Sequence, residues 1–362
     1  HLHRSYGAAG VLTSAATVAL AISAPWRGRR LDQVGLRRAL TPSLVVLAAC
    51  WGVAPFVGFW PLLVLVSIAS LFVVPSFSIV RQAMIHAVPE TRRTSALSID
   101  AVAIEISFMI GPALGVLLAT VWSTQWALFA SEFASIGGGL LIWLANPVLR
   151  SEQAEAEARE NSSRSDRSWL TPSVVAVLLA SLATTVVLTG TDVGIVAALR
   201  DMDHQSWIGW ELAVWGFGSA IGGVIYGALH RSLPVVVLLS LLAVTTMPVG
   251  LAQEPVMLAA LLFVTGIFCA PTLTATVDAL SRVIPERVRG EALGWHGSAL
   301  TAGGAIGAPI AGVAIDHWGW PAGFVVCGAI GLAAAAGLVA TSRRAGEKAD
   351  SEDLETAAPA AR

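Results

Sequence analysis

Asp192 is the one ionisable residue in the run TTVVLTGTDVGIVAAL. A charge inside so apolar a helix-length stretch costs several kcal/mol, so desolvation favours the neutral carboxyl. Such a group can bind and release a proton or meet a cationic ligand. The plainer account is a structural carboxylate bonded to a neighbouring helix or exposed near a water-filled mouth. Asp100 and Glu105 stand five apart in SIDAVAIEISFMIGP, and on a helix they point about 140° apart, too far to share one narrow face. Both are candidates for proton coupling or substrate binding, Glu105 being the deeper. Arg81 and Asp278 offer a gate pair between the two halves of the chain, although an interfacial anchor is the simpler account of Arg81. Pro75 and Pro271 each free a backbone carbonyl within an apolar run and mark possible hinges.

Other chemistries are absent. The single lysine, Lys348, is followed by Ala, so no phosphate loop ending in Gly-Lys-Ser/Thr exists. The seven His form no His-Glu-x-x-His set, and Cys50, Cys269 and Cys327 each stand alone in or beside an apolar run. No metal, other cofactor or enzymatic centre is indicated. The basic residues flank apolar runs instead of forming a stripe with interleaved aromatics, which gives no support for nucleic-acid binding.

The elements that must carry these residues follow from composition. Of 362 residues 55% are apolar and 13% charged, about half the charged share of a soluble protein. Eleven stretches have the roughly 20-residue apolar length that spans a bilayer: 7–26, 39–55, 59–80, 97–120, 126–146, 172–199, 207–229, 233–251, 256–280, 293–315 and 321–341. Twenty of the 22 Lys and Arg fall between alternate spans or in the tail, which assigns those loops and the C-terminus to the cytoplasm.

An internal repeat at an offset of 196 residues supports a two-part architecture. Pro75, Ala83, Pro89, Glu90, Arg93, Ala96 and Leu97 recur as Pro271, Ala279, Pro285, Glu286, Arg289, Ala292 and Leu293. The same offset places the counterpart of span 172–199 ahead of the first residue, so a twelve-helix bundle lacking its first helix is expected. Residues 1–146 form an N-terminal half with five visible helices, 147–171 a polar cytoplasmic linker, 172–341 a C-terminal half of six helices, and 342–362 a disordered tail.

These features resemble the major facilitator superfamily of secondary transporters. Its signature after the second helix is matched in GRRLDQVGLRR by Gly28, Asp32, Gly35, Arg37 and Arg38, with Gln33 where the family has Arg. Gly111, Pro112 and Gly115 resemble the Gly-Pro motif of its antiporters, with Ser98 and Ser107 in place of two upstream glycines. The resemblance implies an all-α polytopic fold of two helical halves around a central cavity, with Asp32 meeting the start of the family's eleventh helix as a cytoplasmic gate. It further implies alternating-access transport of a small molecule. Proton-coupled efflux of a drug-like or amphipathic compound is expected, with a sugar or metabolite carrier, or a non-transporting sensor, as alternatives. Abundant Ala and Arg with one Lys point to a bacterial inner membrane. Substrate identity and oligomeric state are not encoded in any motif.

Overall fold

The computed structural model describes residues 6–149, 169–229 and 233–357. In its first half, helices α1 (Tyr6–Val34), α2 (Leu36–Val53), α3 (Phe59–Leu71), α4 (Ser76–Ala87), α5 (Glu90–Val121) and α6 (Thr124–Ala145) follow one another through short turns. The second half contains α7 (Pro172–Asp201), α8 (Ile208–Ala228), α9 (Val235–Thr246), α10 (Pro255–Gly266), α11 (Cys269–Val283), α12 (Arg289–Trp318) and α13 (Trp320–Ala357). No strand occurs among the described residues. Eight helical stretches are long and apolar enough to cross a membrane, and a shorter apolar one covers Val235–Leu251. Each of the eleven expected spans coincides with one helix or with two that follow one another along the same span. The chain is a helical, multi-pass membrane protein.

Two spans are broken where the sequence carries its repeated proline. Pro75 caps α4 after the non-helical residues 72–74, and Pro271 occupies the first turn of α11, just past the α10 end at Gly266. Proline is tolerated in a first turn because that N–H has no intrahelical acceptor in any case. Elsewhere side chains set the ends: Ser123 accepts from the Trp126 amide, and Thr171 from that of Val174. Gly35, with φ +79°, turns the chain between α1 and α2, a backbone angle that side-chain-bearing residues seldom adopt.

In the second half α7 is the inner helix, packed against α12 and α13. The seam runs through small residues. A Cβ at Gly303 would lie 2.2 Å from the Leu182 carbonyl oxygen, and one at Gly190 would lie 2.2 Å from Cys327 Sγ. In a bilayer, where burial of apolar surface drives little helix association, such close backbone approach provides the packing. Leu141, Val224, Val256 and Val313 stand exposed on the outer faces, as a lipid-facing surface requires. Trp122, Trp126, Trp210 and Trp318 are exposed near the helix ends remote from the arginine-rich loops, the usual place of an interfacial aromatic belt.

Two boundaries differ from expectation. Residues 342–357, expected to be part of a disordered tail, continue α13, where Ala, Glu, Lys and Arg favour a helix. Helix α5 begins at Glu90, seven residues ahead of its apolar span, because a helix extends past the membrane core while its backbone bonds can be made. Most of the linker, 150–168, lies outside the described residues.

Candidate functional site

The two halves meet along α1 and α12, which cross antiparallel at the arginine-rich end. Asp32 is buried there, and its carboxylate accepts hydrogen bonds from two amides at the start of α12: Gly290 N at 3.0 Å and Glu291 N at 2.7 Å. Helix-terminal amides have no intrahelical acceptor and carry the positive end of the helix dipole, so a carboxylate is their natural partner. Glycine permits the approach. A Cβ at Gly28 would lie 2.1 Å from the Gly290 carbonyl oxygen, and one at Gly294 would lie 2.4 Å from that of Ala24. One turn further, Ser298 Oγ donates to the Ala21 carbonyl at 2.6 Å. The contact implied for Asp32 by the resemblance is thus present.

The rest of that motif is anchored within its own half. Arg37 donates to the Trp143 and Leu144 carbonyls at the end of α6, at 3.2 and 3.3 Å, with its guanidinium over the Trp143 ring. Arg38 is exposed, and the loop borders a cleft of about 510 Å³ that also includes Asn146. The pseudo-symmetric mate of the α1–α12 crossing is α5 on α8. Ser95 donates to the Gly227 carbonyl, and a Cβ at Gly227 would lie 2.9 Å from that of Ser98. Ser98 therefore supplies small bulk where the antiporter pattern has glycine.

The proposed Arg81–Asp278 pair is replaced by two others. Arg81 Nε bonds Asp100 Oδ2 at 3.1 Å between α4 and α5, with both side chains nearly buried. Asp278 bonds Arg282 Nε at 3.1 Å, because Arg282 lies one turn on along the same helix and reaches it first. Arg282 then crosses to Glu90 at 3.2 Å, and His86 meets Glu286 at 3.5 Å, so side-chain links do span the halves, but through other residues.

His296 was not among the sequence candidates. It is buried on α12 and shares a hydrogen bond with Thr276 Oγ1 at 3.0 Å. The signal was available, since His296 lies 196 positions after Asp100. One repeat site thus bears a carboxylate paired with Arg81, and the other an imidazole paired with Thr276.

Asp192 is exposed in this conformation, against the burial expected of it, because Gly190, Thr191 and Gly194 occupy the packed face of α7. It shares a face with Thr185 and Thr189, spaced four and three residues apart. Both threonines lie beside α12, where a Cβ on Gly303 would sit 2.0 Å from Thr185 Oγ1 and one on Gly304 would sit 3.5 Å from Thr189 Oγ1. A Cβ added to Gly111 or Gly115 would meet nothing within 4 Å, so α5 makes no close helix crossing there. The side chains of Glu105 and Pro112 lie outside the described ones. Among the described residues no cluster of three or more His, Cys, Asp or Glu could hold a metal.

The family model described as Major Facilitator Superfamily matches residues 1–234 and 191–361. The human organic anion transporter MFSD10 (TETRAN) has a similar structure, with TM-score 0.70 at 18% identity, covering 91% of this chain and 83% of that one. The E. coli fucose:proton symporter FucP aligns with TM-score 0.72 at 14% identity over 92% and 91% of the two chains. The proton:xylose symporter XylE aligns with TM-score 0.67 at 14% identity over 92% and 86%. No curated protein matches the chain in sequence.

Proposed function

The chain belongs to the major facilitator superfamily, whose members are transporters and not enzymes, and on that premise we propose that it is a proton-coupled secondary transporter exporting a small amphipathic compound across a bacterial inner membrane. The observation that carries the reading is the Asp32 clamp on the first amides of α12. Alternating access requires a half-to-half contact that holds one end shut and can be released. Asp32, with Gly28 and Gly290, supplies one at the end that the arginines assign to the cytoplasm. This conformation is then closed inward. Asp192, on the Thr185 and Thr189 face of α7, serves as a substrate-facing acid. Asp100, held by Arg81 at the boundary between halves, joins Glu105 as a proton-coupling residue.

A second reading, a sugar or metabolite carrier, has its own support. The glycines of the antiporter-like motif are unpacked, and two of the similar structures are a fucose:proton and a xylose:proton symporter. Reconstitution in liposomes loaded with a pH dye separates the two. Amphipathic compounds and sugars are added in turn across an imposed proton gradient. Proton movement evoked by an amphipathic compound and lost in Asp192→Asn is expected. Movement evoked only by sugars selects the second reading, and no movement with any compound from folded, oriented protein overturns proton-coupled transport.

A further inference from the structure

Glu211, the fourth residue of α8, has 0% of its surface exposed, and neither carboxylate oxygen has a hydrogen-bond partner. It is not the only buried acid among the described residues, but each of the others has a partner: Asp32 accepts from two amides, and Asp278 pairs through Oδ2 with Arg282, its Oδ1 alone being unbonded. Buried polar groups are as a rule bonded, and an unpaired carboxylate in an apolar interior is far too costly to persist. One turn along the same face, Trp215 Nε1 is a second buried group without a partner, in this case a donor. The Trp215 ring packs into two apolar clusters, one containing Ile195, Leu258 and Leu262, the other Val187, Leu242 and Cys269. An acceptor and a donor thus lie one helical turn apart in apolar surroundings, unjoined.

Among the described residues, the elements packed against α8 offer Glu211 no counter-charge. On α7, Asp192 is exposed, Arg200 is exposed and Asp201 accepts from Trp320. His204, in the turn before α8, bonds the Met202 carbonyl, and Asp203 and Glu254 are exposed. Helix α10 has no ionisable residue. Cys269 of α11 is buried, Asp278 and Arg282 are paired with each other, and Asp100 of α5 is held by Arg81. None bonds Glu211. The repeat position 196 residues earlier is Ala15, so the first half has no equivalent acid.

We propose that Glu211 is a proton-carrying residue of the transport cycle, holding its proton in this conformation and exchanging it with water when the end of the bundle remote from the arginine-rich loops opens. Its carboxyl O–H breaks, the proton passes to water, and the resulting carboxylate turns to accept the idle Trp215 N–H, which stabilises the charged form. The inference rests on the proton-coupled reading above and names a residue for it.

The test is made on the full chain without any substrate. Dicyclohexylcarbodiimide adds to protonated carboxyls in apolar surroundings, and the adduct is located by peptide mass. In parallel, infrared difference spectra taken across a pH titration follow the carbonyl stretch of the protonated acid. The expected result is an adduct at Glu211, at least tenfold reduced in Glu211→Gln, and an acid band that disappears as pH rises and is missing from the variant. If Glu211→Gln does not fold, Glu211→Asp should shift the pH at which the band disappears, and Trp215→Phe should shift it upward by removing the donor to the carboxylate. A band identical in wild type and variants, or one that persists to the alkaline limit of folding, overturns the proposal. Those outcomes leave compound-driven proton movement in liposomes unaffected, so this inference and the functional reading fail separately.

Discussion

Replacing Asp32 by Asn keeps its shape but turns one of its two acceptor oxygens into a donor that faces a donor, either Gly290 N–H or Glu291 N–H. One charge-assisted hydrogen bond is lost and the other loses its charge. Bonds to a charged group contribute about 1.5 to 3 kcal/mol, so the closed state should weaken by about tenfold to a hundredfold relative to the open one. Spin labels at Gln33 and Arg287 should report longer distances in the variant; an unchanged distribution would show that Asp32 does not hold this end. Its role was legible because a motif fixes the residue and the helix start it meets. The pairing of Arg81 was not, since sequence gives the depth of a residue along its helix but not the rotation that chooses among neighbours. Asp192 shows the same limit. Its depth is evident, yet three small residues at positions 190, 191 and 194 decide that α7 turns it away from the packed face. Glu211 went unnoticed because an acid in the first turn of a helix ordinarily marks a solvated end.

At the scale of elements, the two repeated prolines predict unequal consequences. Pro75 follows a stretch without helical bonds, and its missing N–H keeps α3 and α4 from joining. Pro75→Ala should let the span lengthen into one helix and slow transport several-fold with little change in melting temperature. Pro271 stands in a first turn, where its N–H is not needed, so Pro271→Ala should leave transport within about twofold. Initial transport rates in liposomes decide this, and equal effects would contradict the hinge assignment at Pro75. The eleven spans were legible because long apolar runs admit few alternatives in lipid. The breaks were visible as prolines, but which of them interrupts a helix depends on where each helix starts, a matter of one turn that hydropathy does not resolve.

For the whole molecule, rocking of two halves requires that the α1–α12 contact separate in each cycle. Cysteines placed at Ala21 and Ser298, whose backbone and side chain now share a 2.6 Å hydrogen bond, should cross-link under oxidation and stop transport. Reductant should restore it. The native Cys50, Cys269 and Cys327 are buried and unpaired and should not interfere. Transport that continues with the cross-link formed would mean that this end never opens. The same contact has a thermal consequence. It is built from Gly28, Gly290, Gly294, Ala21 and Ala24, residues with no rotamers to freeze when the surfaces meet. Forming this contact therefore orders little beyond one aspartate and one serine. With a small entropy change set against a small free-energy difference, the enthalpy must be small as well, so this contact's share of the balance between open and closed forms should hardly move between a cold and a warm environment.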